Sequence, residues 1–130
     1  MSAYHYRGQA DRRYLDWHYT LDDDMTLIDL DAVEVCKTCR ETLMLCETSR
    51  DATKRTTILA RLAERAKIPA WLIIVPEGDL LPDVVVRVRR VFPFDDSPLL
   101  PISGFYELTL NGWAQHLRNI RDRHDAMEHR

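Results

Sequence analysis

Two short segments of alternating polarity, separated by a polar turn, constrain this chain most. LIDLDAVEVC and LMLCETS, residues 27–36 and 43–49, flank the run KTCRE. Alternation with a period of two is typical of strands that bury one face, and a short polar connection favours an antiparallel hairpin. Cys39 then lies near the centre of the turn, and the two strands pair on either side of it.

This pairing places residues of like polarity opposite each other. Val33 faces Leu45, whereas Asp31 faces Glu47 at the open end of the hairpin. A slip of one residue would move every side chain to the other face, so agreement in polarity favours this register. The other expected pairs are Val35 with Leu43 and Asp29 with Ser49.

The acidic end of the hairpin is a candidate metal site. Directly opposed side chains lie roughly 5 Å apart at Cβ, where two ionised carboxylates repel each other. Mg²⁺, or Mn²⁺, could compensate with Asp31 and Glu47 as ligands and Asp29 in support, and could polarise a phosphoryl oxygen. The alternative is an ordinary ion pair between one of these acids and a cation such as Arg50 or Arg55.

The rest of the chain predicts a small α/β domain. Residues 50–68 carry apolar side chains at helical spacing, and Pro69 ends that pattern. AWLIIV is typical of a strand covered on both faces, and VVVRVRRVF of a half-exposed strand. After an irregular Pro-rich connection, Trp113, Leu117 and Ile120 predict a last helix, capped by Thr109 or Asn111. The order hairpin–helix–strand–strand–helix closes as a small mixed β-sheet with flanking helices.

Length and composition limit the alternatives. The chain has 130 residues and a net charge of −3, which favours one domain, with residues 1–25 as an N-terminal cover and 26–125 as the core. No apolar run approaches the roughly 20 residues that span a bilayer, and the start lacks an apolar signal segment. We therefore expect a cytoplasmic protein without membrane association. Three cysteines disfavour a disulfide framework.

The hairpin and its sequel resemble the PD-(D/E)xK nuclease superfamily, which has the restriction-endonuclease-like fold. That family has an Asp on one strand of a hairpin, Glu-x-Lys on the next strand, and then a helix. Asp31 in IDLDAVE is similar to the first acid, and Glu47 in LMLCETSRD is similar to the second. The segment KRTTILARLAERAKIPAWLIIV is similar to the family's helix and the strand after it. With ELTLNGWAQHLRNIRDRH, the arrangement is similar to small nuclease-like proteins encoded by actinobacterial phages, over roughly residues 27–125. The resemblance implies Mg²⁺-dependent hydrolysis of DNA in the host cytoplasm.

One position departs from the family pattern. Ser49 stands where the family has a lysine that positions the attacking water and offsets developing charge. Lys54, at the predicted start of the helix, could reach back and replace it, since the superfamily includes lysines relocated to this helix. Otherwise the domain is a catalytically inactive module that binds nucleic acid or a protein partner.

The predicted partners follow from the same resemblance. Lys54, Arg61 and Arg65 share one face of the predicted helix and are candidates for contacts with DNA phosphates, although such a stripe is also typical of a solvated helix face. Nucleases of this fold often act as dimers or within larger assemblies, so a homo-oligomer is a further expectation.

The cysteines of the turn suggest a different protein. Cys36 and Cys39 have the spacing of half a tetrahedral zinc site, as in a zinc knuckle. A second half is missing from the local sequence. Cys46 should point to the opposite face from Glu47, and His124 and His129 lie far along the chain. His5 and His18 could contribute from the N-terminus, but nothing in the spacing requires them. Structural Zn²⁺ at Cys36 and Cys39 is therefore disfavoured, and a zinc-stabilised interaction domain is the third hypothesis.

Overall fold

The computed structural model of the chain describes residues 12–18, 20–21 and 32–128, which contain three helices and five strands. Asp29 and Asp31 lie outside the described residues, as does most of the expected N-terminal cover. In chain order the elements are α1 (Arg12–His18), β1 (Ala32–Val35), β2 (Thr42–Ser49), α2 (Thr57–Ala66), β3 (Ala70–Ile74), β4 (Val85–Phe92), β5 (Tyr106–Thr109) and α3 (Leu110–Glu128).

The five strands form one mixed sheet in the order β1-β2-β3-β4-β5. Neighbouring strands are antiparallel except β2 and β3, which are parallel and are joined through α2. The prediction of a small mixed α/β fold with flanking helices is confirmed at this level. Among the described residues the sequence missed one strand, β5. Its first two residues were expected in the irregular connection and its last two at the start of the last helical segment.

The hairpin register agrees with the sequence over most of β1. Val33 pairs with Leu45, as expected, and the neighbouring pairs on either side keep the same register. The expected pair of Val35 with Leu43 is wrong, because a bulge after Glu34 pairs Val35 with Thr42 instead. A bulge adds one unpaired residue to a strand, which polarity alone does not reveal.

Each face of the sheet is covered by one helix. The face toward α2 buries Leu45 and Ala70 against Leu59 and Ala63 of that helix. The opposite face packs against α3 through Trp113, whose ring meets Trp71 edge-on at a centroid distance of 5.4 Å. Between these two layers β3 is buried on both faces, as its continuously apolar sequence predicts; its residues with less than a tenth of their surface exposed are Ala70, Leu72, Ile73 and Ile74.

The helix boundaries follow local chemistry. The predicted cap of α3 is confirmed at Thr109, whose hydroxyl oxygen accepts a hydrogen bond from the Gly112 N–H at 3.0 Å. α2 begins only at Thr57, so Lys54 lies in the connection before the helix and not at its start. At its other end, Lys67 closes α2 in the left-handed conformation, two residues before Pro69. None of the described helices is long and apolar enough to cross a membrane.

Truncating the central strand should destabilise the fold far more than truncating the helix surface. Leu72 is fully buried in β3, whereas Leu62 on α2 is 48% exposed. We expect Leu72→Ala to lower the free energy of unfolding by about 2–5 kcal/mol, because it leaves a cavity between two packed layers. The matched control Leu62→Ala should change it by less than about 1 kcal/mol. Urea denaturation measures both; equal losses would contradict the two-layer core.

Candidate active site

Glu47 and Lys54 meet at the end of β2. The ammonium nitrogen of Lys54 lies 3.1 Å from a carboxylate oxygen of Glu47. Only 12% of the Glu47 side chain is exposed, against 43% of the Lys54 side chain. Glu47 points to the same face of the sheet as Leu45, two residues earlier, so this carboxylate borders the layer between the sheet and α2. A largely buried anion is thus held by one half-exposed cation.

A tight turn after β2 brings Lys54 back to Glu47. The Asp51 carboxylate accepts hydrogen bonds from the backbone N–H of Thr53 at 2.9 Å and from its hydroxyl at 2.7 Å. The backbone N–H of Lys54 then donates to the Asp51 carbonyl at 3.1 Å. The two hydrogen bonds from Thr53, the hydroxyl first, lower the pKa of Asp51. The carboxylate is therefore the form that stabilises this turn.

Ser49 takes part in the same turn and does not act on Glu47. Its hydroxyl oxygen accepts from the Asp51 N–H at 2.9 Å and donates to the Asp51 carbonyl at 3.1 Å. Ser49, which stands where the resemblance would expect a lysine, is thereby hydrogen-bonded to the backbone of the connection. The cation beside Glu47 comes from Lys54, five residues further along the chain.

Within the part of the chain that it describes, the structure does not bring the other predicted site residues together around Glu47. Asp29 and Asp31 lie outside the described residues, so the structure places only Glu47 of the three predicted acids. Arg50, named as an alternative partner for an acid of the hairpin, instead lies 3.5 Å from Glu77 on the surface. Lys54 precedes α2, so the expected stripe of three cations on one helix face is wrong. Two of its members, Arg61 and Arg65, are exposed on the helix.

A groove of about 560 Å³ runs between α2 and the segment that follows β4. Arg61, Arg89 and Arg90 line it together with the acidic residues Glu64 and Asp95. The pKa of Asp95 is lowered, chiefly by a hydrogen bond from the backbone N–H of Ser97. The guanidinium of Arg89 lies over the ring of Phe105 at 5.0 Å, which fixes this cation at the groove. The groove therefore presents charge of both signs, with more cations than anions.

A second cluster lies at the turn of the hairpin, at the other end of β2. Cys36, Cys39 and His124 each bring one ligand atom to within 4.8 Å of the others. The Cys39 sulfur is 3.2 Å from Nε2 of His124, and His124 is only 9% exposed. Sequence spacing therefore missed that His124 approaches the two cysteines. The helical spacing could have indicated this position, because His124 continues the buried face of α3 that begins at Trp113.

The third cysteine does not join this cluster. Cys46 is buried in β2 among the residues that pack against α3. Burial, with a smaller contribution from the charge of Glu34, raises the pKa of its thiol to about 12. Cys46 therefore remains a neutral thiol at physiological pH and behaves as a small apolar core residue.

His116 occupies an aromatic setting on the same helix. Its ring stacks on Trp113 at 5.1 Å and meets Trp71 edge-on at 5.0 Å. Among the described residues, Nε2 of this imidazole is buried without a hydrogen-bond partner. Burial lowers the pKa of His116, and the positive charge of Arg123 lowers it further. The folded protein thus favours the neutral imidazole.

This depressed pKa makes part of the stability dependent on pH. The unfolded chain takes up the His116 proton at a higher pH than the folded chain, so the folded state loses stability as pH falls below about 6.5. We expect His116→Phe to be relatively more stable at pH 5 than at pH 8, compared with wild type, because the variant has no proton to take up. Urea denaturation of both proteins at both pH values measures this. A difference between them that does not vary with pH would contradict the assignment.

Comparison with known proteins found no relative: no protein-family model, no curated protein and no solved structure matches the chain. What the protein does must accordingly be inferred from the chemistry of its own side chains.

Proposed function

We propose that this protein hydrolyses phosphodiester bonds of DNA with the help of Mg²⁺ or Mn²⁺. The observation that carries the proposal is the 3.1 Å contact between Lys54 and the largely buried carboxylate of Glu47. It places a flexible ammonium group beside an acid at the end of a strand, although the family's lysine position holds serine. Lys54 thereby takes the role that the resemblance assigns to the missing lysine.

The donor set at this end of β2 suits a hard cation. A carboxylate oxygen is the ligand that Mg²⁺ and Mn²⁺ prefer, and a divalent ion bound there supplies polarisation of a phosphoryl oxygen. Of the three proposed acids, Glu47 lies among the described residues. From the sequence alone, Asp31 is proposed as the second ligand and Asp29 as its support. Lys54 orients the attacking water and donates hydrogen bonds to the charge that develops on the phosphoryl oxygens.

The order of elements supports the restriction-endonuclease-like core within this proposal. Glu47 lies on the second strand of an antiparallel hairpin, α2 follows, and β3 returns parallel to β2. This is the succession that the resemblance implies for the strand with the second acid, the helix and the next strand. The connection between β2 and α2 is the segment that would carry the relocated lysine.

A polyanionic substrate also fits the charges near α2. Arg61 and Arg65 are exposed on this helix, and Arg61 opens onto the groove that Arg89 and Arg90 line. Arginine binds phosphate oxygens through a planar set of donors, which makes it suited to a nucleic-acid backbone. Glu64 and Asp95 in the same groove would limit how closely the backbone approaches.

One observation favours a second candidate, a module that binds DNA or a protein without cleaving anything. The ammonium of Lys54 by itself neutralises the charge of Glu47, so this carboxylate is satisfied without a metal ion. In that case the pair stabilises the turn after β2, and the acidic end of the hairpin has no catalytic role.

Cleavage assays separate these candidates. With Mg²⁺ or Mn²⁺ we expect wild type to cut duplex, branched or single-stranded DNA, and EDTA to abolish the cutting. Glu47→Gln and Lys54→Met should each lower kcat by about 10²–10³-fold, because each removes a charge that acts on the reacting phosphate. Glu77→Gln and Arg50→Met remove a comparable but exposed pair, 3.5 Å apart, and should leave the rate unchanged.

Two results would contradict the nuclease proposal. The first is the absence of cleavage of every substrate by folded wild-type protein at high concentration. The second is a rate in Glu47→Gln equal to that of wild type. Absence of cleavage together with DNA affinity that survives Glu47→Gln would support the binding module.

DNA binding through α2 has its own signature in salt. Each cation that neutralises a phosphate contributes about 0.9 to the slope of log K against log salt concentration. We therefore expect the double variant Arg61→Ala/Arg65→Ala to reduce this slope by about 2. Arg118→Ala and Arg121→Ala on α3, across the sheet, are matched controls and should not change it. Fluorescence anisotropy with labelled DNA over a salt series measures the slopes; equal slopes for wild type and the α2 variant would contradict binding through this helix.

A further inference from the structure

We propose that Cys36, Cys39 and His124 form a zinc site that ties the turn of the hairpin to α3. The two sulfur atoms and an imidazole nitrogen lie within 4.8 Å of one another, and the Cys39 sulfur is 3.2 Å from Nε2 of His124. These residues come from segments 85 positions apart in the chain, so the fold itself brings them together.

The separations fit one tetrahedral ion. Zn–S bonds of about 2.3 Å and Zn–N bonds of about 2.0 Å place the ligand atoms of a tetrahedral site roughly 3.5–3.8 Å apart. The 3.2 Å between the Cys39 sulfur and Nε2 of His124 is slightly shorter than this spacing, and all three ligand atoms lie within 4.8 Å of one another. Side-chain shifts of about 1 Å or less would bring the three atoms to this spacing.

The backbone of the turn holds the first cysteine in place. The N–H of Cys36 donates to the Glu41 carbonyl, and the Cys36 carbonyl accepts from the N–H of Arg40, both at 2.8 Å. Arg40 adopts a φ of 68°, in the left-handed region that residues other than glycine seldom occupy. Cys36 itself is 2% exposed. The turn thus folds back over the side chain of Cys36, whereas Cys39 is exposed.

The chemistry of the donors identifies the metal class. Two thiolates and an imidazole are soft to borderline ligands that select zinc over the hard ions Mg²⁺ and Mn²⁺. On binding, each thiol releases its proton to the solvent and becomes a thiolate. The site lies near the start of β2, whereas Glu47 lies five residues along this strand, or about 17 Å away. The zinc site is therefore separate from the proposed catalytic centre and does not depend on it.

The position of the site indicates a structural role. β1 is an edge strand, and all four of its residues are exposed, so packing contributes little to its attachment. A zinc ion would fasten the end of this strand to a buried position of α3. Three ligands leave the fourth coordination position to water or to a further donor. The zinc should hold the end of the hairpin against α3.

Metal analysis of the purified full-length protein tests this inference. Protein prepared under reducing conditions and without chelators should contain one zinc ion per chain. Protein stripped of metal should bind Co²⁺ with the near-ultraviolet charge-transfer band of thiolate ligation and the visible bands of a tetrahedral site. Cys36→Ser, Cys39→Ser and His124→Asn should each weaken zinc binding by more than about 100-fold, since even partners beyond the direct ligands change affinity 10–100-fold.

Two variants serve as matched controls. Cys46→Ala removes the cysteine outside the cluster, and His116→Phe removes a histidine of the same helix; both should keep one zinc ion with unchanged affinity. If a ligand variant fails to fold, the cobalt spectrum of the wild type still shows whether thiolates bind the metal. A wild type that holds no stoichiometric zinc and shows no thiolate band with Co²⁺ would overturn the site, and full affinity in folded His124→Asn would remove that ligand. Neither result bears on cleavage at Glu47.

Discussion

The parallel pairing of β2 with β3 is the constraint on which the rest of the structure depends. Two parallel neighbours cannot be joined by a short turn, so the chain must leave the end of β2, cross one face of the sheet and return. α2 makes this crossing and covers the face that it crosses. The chain must also reverse just after Ser49, and that reversal carries Lys54 back to the carboxylate of Glu47. The ion pair is therefore a consequence of the crossover.

The same sheet keeps two kinds of chemistry apart. The α2 side of β2 ends in an oxygen donor with a cation beside it, which is suited to a hard ion and a phosphate. The hairpin turn, at the other end of the strand, collects sulfur and imidazole beside α3, which is suited to zinc. Because β1 pairs with β2 from Cys46 to Thr42, a zinc ion at the turn would also hold this edge of the sheet in place. The two sites share no ligand.

The sequence could predict those features that arise from repeated local patterns. Val33 against Leu45 was predictable because polarity alternates along both strands, and the burial of β3 because AWLIIV has no polar side. β5 was missed because it has only four residues between a Pro-rich segment and a helix, two of them exposed and two partly buried, and so short a run carries little pattern. The bulge at Val35 depends on a single residue, and Arg40 adopts positive φ without being glycine.

The functional groups were harder to place because their partners are distant or ambiguous. Lys54 was predicted to approach Glu47, but from the first turn of a helix; the Asp51 turn that positions it extends the connection to Thr56. His124 is separated from the cysteines by most of the sheet, so no spacing rule could pair them. Only the helical phase of α3, which continues the buried face from Trp113, indicated that this histidine turns inward.

Anomalous diffraction from crystals grown with Mn²⁺ tests the central claim, that the acid beside Lys54 is a metal site for phosphodiester chemistry, most directly. The expected result is a manganese peak at coordinating distance from the Glu47 carboxylate, with the Lys54 ammonium beside it. Crystals of Glu47→Gln should lack this peak. A map of wild type without manganese at Glu47, and with the Lys54–Glu47 ion pair intact, would contradict the claim and leave the pair as a structural feature of the turn.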